Sequence, residues 1–504
     1  MIGPNDLARM IWPDIDMLYP AKFVKRKFIP DFAGFEGTLC QISAMDDLIA
    51  ARMQMAVSLG FHIVFACIGM TMPILMAFSE WKWLRTGRQE FMDVAKAWSK
   101  GVAIFFAVGA VSGTVLSFEL GLLFPGFMEH AGPIIGMPFS WEGTAFFVEA
   151  IALGVFLYGW NRLNKWVHWI SGVVVGISGV LSGIFVVSAN AWMNSPTGFT
   201  WKDGKASNID PVKAMFNDAW LSQALHMTLA AFVATSFAVA GVHAFLLIKN
   251  RNNRFHRTAV RLALSFGAVA ALLQPISGDF SAKDIAKRQP AKLAALEALY
   301  KTSKPASLVI GGLPNDKEER VEYAIHIPGF LSFLAHGDFE AEVTGLDKFP
   351  KDERPPVMIT HIAFQVMVAS GFLLALAGLL FLVFSAWWKP LLYRKGWLMF
   401  VALLTPLGFI AVEAGWTVTE VGRQPWIIYG VMKTKDAVSP MPGLQYSFYT
   451  ISTVYLLLTG LLIWLMRRQI ATVPMIYPSA APESDLNLKT DSSVKTGTVV
   501  PGNK

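Results

Sequence analysis

Nine long apolar segments constrain this chain more than any other feature of its sequence. A helix of about 20 apolar residues crosses the hydrocarbon core of a bilayer and satisfies all of its backbone polar groups internally. The charged fraction of 16% is low, because soluble domains usually carry about 25% charged residues. We therefore predict an all-α fold, a polytopic membrane helix bundle of about nine transmembrane helices. The predicted spans cover roughly residues 55–78, 101–124, 138–160, 166–192, 221–248, 259–277, 358–388, 397–418 and 446–466.

Basic residues in the short loops predict which way the bundle crosses the membrane. They recur in every second loop, at residues 80–100, 162–165, 249–261, 389–395 and 467–468. Loops rich in Lys and Arg normally stay on the cytoplasmic side. The N-terminus, the region around Glu420 and a long polar segment after the sixth span, residues 279–357, are therefore expected outside. A connection of that length is usually functional or disordered.

The two ends of the chain differ from the membrane part at residues 45–468. Residues 1–44 would have to be translocated, although they contain the basic run 22–28. Our hypothesis is that translation starts at Met45, and the alternative is a genuine N-terminal extension. Residues 469–504 are polar and rich in Ser and Thr, which predicts a flexible tail.

The cysteine content and the charge argue against two other classes of site. Cys40 and Cys67 are the only cysteines, so they provide neither a disulfide framework nor a cysteine metal cluster. The net charge is +7, but the basic residues lie in short loops and form no basic soluble face. Nucleic acid is therefore not an expected partner.

Ionisable and soft side chains inside the predicted spans are concentrated towards the outer face. Such groups are costly at bilayer depth and usually have a function there. His168 and His243 lie near the inner ends and are interpreted as structural, while His361 at the outer boundary is ambiguous. The outer set comprises His62, Glu119, Glu142, Glu149, His226, Met367, Glu413 and Glu420.

His226 and Met367 could together hold a haem from two different helices. Imidazole and thioether are common axial ligands, and a His/Met pair holds a low-spin electron-transfer haem. The alternatives are a packed histidine and an ordinary core methionine, since the chain contains 22 methionines. Spacing alone would not select Met367.

The spacing of two pairs of charged residues also indicates where their side chains lie on a helix. Glu142 and Glu149 are seven residues apart, which places both on one helix face and suits a proton path. The alternative is a pair that neighbouring helices neutralise. Glu420 and Arg423 are three residues apart at the outer rim, where the guanidinium could neutralise haem propionates or form a plain interfacial ion pair.

Residues 289–297 in the long outer segment are typical of a short amphipathic helix. Lys292 and Glu297 in this stretch could bind a quinol head group and accept its protons. On composition alone, a solvated helix without this function is the simpler interpretation.

A series of motifs resembles subunit I of the cytochrome bd-type quinol oxidases, over residues 45–468. The GRQPW run at 422–426 would be moderate support alone, but the whole set in this order is specific. The matching stretches are 52–62, 141–149, 187–194, 223–226, 292–297, 364–371 and 412–426.

The resemblance implies roles for the residues already singled out. His226 and Met367 would ligate the iron of a low-spin b-type haem. His62 and Glu420 would serve the two high-spin haems. The other implied positions are Glu142 and Glu149 in the buried proton and haem environment, Lys292 and Glu297 in the quinol loop, and Asn190, Trp416 and Arg423 near the haems.

The resemblance also implies a reaction and its setting. Quinol would be oxidised near the outer face and oxygen reduced to water, which contributes to a proton gradient. The implied cofactors are two or three b-type haems, with haem d possible as the third. The implied partners are a second membrane subunit (subunit II) and often a small single-span subunit, in the bacterial cytoplasmic (inner) membrane.

Two departures from the family pattern stand out. Gln365 occupies a position where better-known members have Arg, so the low-spin haem loses a nearby positive charge and its reduction potential should be lower. The polar loop at residues 279–357 is long for a connection between spans but short for this family. In this it resembles the short-loop, cyanide-insensitive branch. That leaves open whether the third haem is of type b or d.

Two other functions compete with this interpretation. A proton-coupled secondary transporter would also use buried carboxylates, but the sequence has no visible internal repeat. A haem-bearing quinol dehydrogenase subunit would need the His/Met pair and the quinol loop, but not His62 and Glu420.

Overall fold

The computed structural model describes residues 45–202 and 205–476, and within them nine helices are long and apolar enough to cross a membrane. This confirms the predicted fold class and number of spans. The described part of the chain is mostly helical, with three two-stranded hairpins outside the spans that were not predicted. Spans 1 to 9 are Asp47–Thr86, Gln89–Leu123, Pro125–Tyr158, Lys165–Asn194, Trp220–Lys249, Arg254–Arg288, Val357–Trp387, Lys395–Val421 and Leu444–Ile476.

Most spans are longer than predicted, because polar helix ends extend beyond the apolar segments. Span 6 was expected to end near Ser277 but continues to Arg288. Two ion pairs at i, i+4 spacing support this extension, Lys283 with Asp279 at 2.6 Å and Arg288 with Asp284 at 3.0 Å. The polar loop proper therefore begins at residue 289. Span 8 is interrupted at residues 404–406, between the helices Lys395–Leu403 and Leu407–Val421.

The spans pack as two groups of four. Spans 1 to 4 form one group and spans 5 to 8 the other, and span 5 contacts both span 1 and span 4 across the boundary. Spans 5 and 7 each pack against spans 6 and 8 and hardly touch each other, so they occupy opposite corners of their group. Span 9 lies outside, against spans 1 and 2. Two diagonally opposed helices can present side chains to a common interior.

The loop at residues 289–356 covers one end of the bundle, called here the loop face. It contains the loop helix Pro290–Leu296, a loop hairpin at residues 308–327 and the helix Phe330–His336. The hairpin joins the strands Leu308–Asn315 and Arg320–Ile327, with Leu308 opposite Ile327. Every residue from Ala291 to Leu296 is buried. The solvated-helix interpretation of this stretch is therefore wrong, because the helix packs between the loop and the spans.

Two further hairpins and a short helix lie between the spans. They are the hairpin Thr200–Lys202 with Lys205–Ser207, the helix Pro211–Met215, and the hairpin Trp426–Ile428 with Met432–Lys433. The predicted segment at residues 1–44 lies outside the described residues. The helix of span 9 extends to Ile476, beyond the predicted start of the tail at 469, and residues 477–504 lie outside the described part.

The contact between spans 5 and 8 depends on a glycine. A Cβ added at Gly408 would lie 2.4 Å from the Cα of Ala234, so one backbone would have to move. We expect Gly408→Ala to lower the melting temperature of the solubilised protein, since overpacking costs about 1–3 kcal/mol. Gly154→Ala is the matched control, because no atom of the described residues lies within 4 Å of a Cβ there. Equal melting temperatures for the two variants would contradict the expected clash.

Candidate functional site

Asn194, at the end of span 4, is the centre of a buried hydrogen-bond network. Lys292 Nζ in the loop helix donates to Asn194 Oδ1 at 2.7 Å, and Gln289 Nε2 donates to the backbone oxygen of Asn194 at 2.7 Å. Asn194 Nδ2 in turn donates to Asn190 Oδ1 at 3.1 Å, one helical turn earlier. Asn194, Gln289 and Lys292 are each only 3% exposed. The loop helix is thus fixed to span 4 by polar contacts that exclude water.

The same network continues to the carboxylate of Glu420 at the end of span 8. Asn190 Nδ2 donates to Glu420 Oε1, and Arg423 Nη2 donates to Glu420 Oε2, both at 2.5 Å. Arg423 is 2% exposed, and its Nε and Nη1 have no hydrogen-bond partner among the described residues. Buried guanidinium donors are normally paired, so these two atoms are available to a further anion. The predicted pair of Glu420 and Arg423 is formed, and Asn190 joins it.

The environment of the loop helix shifts the pKa of both predicted quinol residues. Burial and the neighbouring Arg423 guanidinium lower the pKa of Lys292 to about 7, against the opposing effect of Glu420. Burial raises the pKa of Glu297 to about 8. Glu297 Oε2 has no hydrogen-bond partner among the described residues. Both groups can therefore exchange protons near neutral pH.

The imidazole ring of His226 in span 5 is oriented by contacts with span 6. Its Nδ1 lies 3.0 Å from Ser277 Oγ in span 6, and Gln274 Nε2 lies 3.2 Å from the other ring nitrogen. Gly278 is also close, since a Cβ there would approach the imidazole to 3.5 Å. A hydrogen bond to one nitrogen is the usual way of orienting an imidazole ligand.

Met367 lies in span 7, at the opposite corner of the same group of four helices. A Cβ added at Gly415 in span 8 would lie 2.9 Å from Met367 Sδ, so the glycine gives the thioether its room. Spans 5 and 7 thus present the predicted His/Met pair from opposite corners of one helix group.

His62 occupies a comparable position in the other half of the bundle. Its Nδ1 lies 3.0 Å from Ser112 Oγ in span 2. A Cβ at Gly113 would lie 2.9 Å from His62 Cε1, so span 2 approaches the ring closely. Like the other three candidate ligands, His62 is half-buried in the bundle rather than sealed by neighbouring side chains.

Span 8 reaches the helix of His62 through two side chains. A Cβ at Gly60 would lie 3.3 Å from Glu413 Oε2 and 4.0 Å from Trp416 Cζ3. Glu413 Oε1 is buried without a hydrogen-bond partner among the described residues. Trp416 is therefore placed beside the His62 helix, and Glu413 is a further polar group there that was not counted among the predicted site residues.

Glu142 and Glu149 both face span 4, as their spacing predicts. Ser182 Oγ donates to Glu142 Oε1 at 3.2 Å. A Cβ at Gly179, three residues before Ser182, would lie 3.3 Å from Glu149 Oε1. The two carboxyl groups thus line the contact between spans 3 and 4, in the same half of the bundle as His62.

The donor set fits haem better than a bare metal ion. Among the described residues, no group of three or more His, Cys, Asp or Glu side chains is placed to hold a metal ion. A haem needs only one or two axial side chains, because the macrocycle supplies the remaining ligands. The candidates offer imidazole, thioether and carboxylate groups, and a glycine lies beside each of His62, His226 and Met367. Two Arg423 nitrogens without a partner among the described residues could pair with propionates. The candidate axial ligands are His62, His226, Met367 and Glu420.

The remaining buried histidines are engaged by protein groups. His168 contacts Glu80 Oε1 at 2.7 Å, and His243 contacts Trp98 Nε1 at 3.0 Å. His361, which was ambiguous, is fully buried and contacts the backbone oxygens of Leu296 and Gly311. His361 therefore ties span 7 to the loop rather than facing open space.

Asn194 and Gln289 are the two polar residues of the network that the sequence-based reasoning did not single out. Asn194 ends one of the resembling stretches, but its partners are 95 and 98 residues away in the chain. No local pattern could therefore have connected them.

The model of the cytochrome bd terminal oxidase subunit I family matches residues 50–474, most of the chain. The chain belongs to this family. The same region carries the network and all of the candidate ligands.

Curated relatives and a solved structure agree with the family. The chain is 36% identical over 430 residues to a Bacillus subtilis (strain 168) protein that carries the name of a cytochrome bd menaquinol oxidase subunit I, covering 84% of this chain and 96% of that one. It is 32% identical to a cytochrome bd ubiquinol oxidase subunit 1 of the same organism, covering 84% and 94%. The structure of bd oxidase from Geobacillus thermodenitrificans matches with a TM-score of 0.81 and 35% identity, covering 85% of this chain and 99% of that one.

Family membership settles the class of protein. The chain is a terminal quinol oxidase subunit, a multi-pass protein of the bacterial cytoplasmic membrane, and works in a multi-subunit membrane complex that uses quinol and oxygen. The transporter and dehydrogenase interpretations are therefore wrong. Haem cofactors are expected for the whole family.

The network predicts an outcome for Asn194→Ala. This variant leaves the Lys292 amine buried without its acceptor, and an unsatisfied buried group costs about 1–3 kcal/mol. We expect a lower melting temperature and slower quinol oxidation by the purified complex. Asn194→Asp keeps the acceptor for Lys292, so it should recover part of the melting temperature and part of the rate of quinol oxidation. Asn252→Ala, at an exposed asparagine, is the control, and identical behaviour of the two alanine variants would argue against the network.

Proposed function

We propose that this chain oxidises quinol at its loop face and passes the electrons through bound haems to oxygen, which is reduced to water. The observation that carries the proposal is the continuous buried network from Lys292 through Asn194 and Asn190 to Glu420 and Arg423. It connects Lys292, one of the two predicted quinol residues, with the predicted haem surroundings in a few hydrogen bonds. The loop face is the outer face in this proposal, in agreement with the basic loops at the other end.

Lys292 and Glu297 bind the quinol head group and handle its protons. The Lys292 amine donates to one quinol oxygen, and the Glu297 carboxylate accepts a proton from a quinol hydroxyl. Each quinol loses two electrons and two protons, so two quinols supply the four electrons that one oxygen molecule needs. A carboxyl with a pKa near 8 is suited to accept this proton and release it to the outside.

Haem, when bound, supplies one-electron transfer and, at the high-spin sites, the reactivity towards oxygen. His226 in span 5 and Met367 in span 7 would hold the low-spin b-type haem. His62 and Glu420 serve the two high-spin haems, and Trp416 lies beside them. The third haem is of type b or d, and the short loop favours the branch with b-type haem.

Arg423 balances negative charge near the haems, and the buried carboxylates carry protons there. The Nε and Nη1 of Arg423, which have no hydrogen-bond partner among the described residues, would pair with propionates, and this would offset the cost of burying the guanidinium. Glu142 and Glu149 carry protons for water formation along the contact of spans 3 and 4, from the cytoplasmic side. Proton release outside and uptake inside together contribute to the proton gradient.

The complex includes a second membrane subunit, subunit II. Complexes of this family often contain a small single-span subunit as well. The support is that relatives are named as subunit I or subunit 1 of cytochrome bd oxidases. Apolar surface on the spans is available for such contacts, with Phe118 69% exposed and Ile151 69% exposed.

Met367→Leu tests the low-spin site. Leucine keeps the apolar volume but cannot ligate iron, so we expect the fold to persist and the low-spin bands in the reduced-minus-oxidised spectrum to be lost. Met358→Leu, one of the exposed positions on the same span, is the control and should leave the spectrum unchanged. An unchanged low-spin spectrum in Met367→Leu would remove Met367 from the ligand set.

The pH dependence of turnover tests Glu297. Because its pKa is raised to about 8, the carboxylate that accepts the proton is present above pH 8 and is lost as the pH falls below it. We expect the rate at saturating quinol to rise with pH through about 8. Glu297→Gln should be slow and lack this rise, whereas Glu340→Gln at an exposed loop position should keep it. A rise of equal size in Glu297→Gln would exclude Glu297 as the proton acceptor.

A further inference from the structure

We propose that the apolar face of the loop hairpin, residues 308–327, is a bilayer-contacting surface held at membrane depth by Gln365 and His361 of span 7. The surface consists of side chains that are exposed on one face of the hairpin and carry no charge. Ile325 is 66% exposed and Tyr323 is 89% exposed, and Ile310 lies directly opposite Ile325. The remaining member is Ile327, which is 37% exposed.

Three contacts fix the height of the hairpin along span 7. Glu319 at the hairpin tip pairs with Arg354, before span 7 begins. Gly311 contacts His361, and Val309 contacts Gln365 two turns into the span. Gln365 is eight residues beyond Val357, which corresponds to about 12 Å along a helix. The open ends of the strands are therefore the deepest part of the hairpin.

The polarity of the hairpin changes along this direction. Its tip, nearest the aqueous end of span 7, consists of five charged residues, 316–320. The apolar face belongs to the part of the hairpin that contacts residues 361–365, which lie within the apolar span predicted at residues 358–388. This gradient from charged to apolar follows the gradient from water to hydrocarbon, and a protein partner would not require it.

On the edge of the strand Leu308–Asn315 that faces span 7, backbone groups of Val309 and Gly311 are paired with side chains rather than water, as membrane depth favours. Gln365 Nε2 donates to Val309 O at 3.1 Å, and Gly311 N donates to Gln365 Oε1 at 3.0 Å. His361 Nε2 contacts Gly311 O at 3.1 Å. The glutamine amide has a donor and an acceptor, so it pairs with the strand edge as a further peptide group would. Arginine has no acceptor and would leave Gly311 N unpaired, which gives a physical reason for glutamine at this position.

The hairpin also borders the quinol site of the proposed function. His361 Nδ1 contacts the backbone oxygen of Leu296, the residue before Glu297, at 2.7 Å. The same imidazole therefore connects the bilayer-facing hairpin to the segment that carries Glu297. If the proposed function holds, a lipid-soluble quinol passes this hairpin on its way from the bilayer to the site.

Fluorescence quenching in the complete complex tests the surface. The complex would be reconstituted in phosphatidylcholine nanodiscs with a bimane label on Ile325→Cys, in a Cys40→Ser background, since Cys67 is buried. We expect nitroxide-labelled acyl chains to quench this label and aqueous iodide to leave it largely unquenched. The matched control, Glu318→Cys at the hairpin tip, should show the opposite pattern.

Two results would overturn the proposal. Iodide quenching of both positions alike would place the hairpin in water, and protection of Ile325→Cys from both quenchers would mean that a protein subunit covers it. Gln365→Leu and Gln365→Arg, added to the labelled protein, should raise iodide quenching at residue 325, because Gly311 N loses its partner. None of these readouts needs turnover, so failure of the proposed quinol site would leave them unchanged.

Discussion

The buried chain of hydrogen bonds between Lys292 and Arg423 is the interaction on which the rest of the site depends. It joins the loop helix, the end of span 4 and the end of span 8, three segments that the sequence separates widely. Lys292 and Gln289 are each 3% exposed and both hydrogen-bond Asn194, so displacement of the loop helix would break buried hydrogen bonds that hold it to span 4. The site is therefore a junction of three segments, of which only the loop helix lies outside the membrane spans.

The division into two groups of four helices gives the site its layout. Span 5, which carries His226, touches both groups, while His62 and the carboxylates of span 3 belong to the first group. Glu420 and Trp416 on span 8 approach spans 4 and 1 respectively. Close helix contacts at Gly113, Gly415 and Gly408 make this possible, because a side chain at any of them would press on a candidate ligand or a neighbouring backbone.

Gln365 has one consequence that the sequence predicts and a second that only the folded chain shows. In the sequence it is a departure from the family pattern, and its predicted consequence is a lower reduction potential of the low-spin haem. In the structure its amide pairs with the edge of the strand Leu308–Asn315. The lower potential stays a prediction, and both it and the observed pairing have the same cause, a neutral amide in place of a cation. The electrostatic effect could be reasoned from the sequence, whereas the pairing required the hairpin to be in place.

The sequence by itself determined the bundle, since apolar segments of sufficient length have no other stable arrangement in a bilayer. It also predicted the facing of Glu142 and Glu149 and the pair of Glu420 with Arg423, because these depend only on helical periodicity. It could not decide whether the helix of Lys292 is solvated or buried, nor that Asn194 and Gln289 hold it in place. Those outcomes depend on contacts across nearly a hundred residues, and local periodicity carries no information about them. The tertiary structure alone decided them, because only the packed bundle removes water from Lys292 and Glu297.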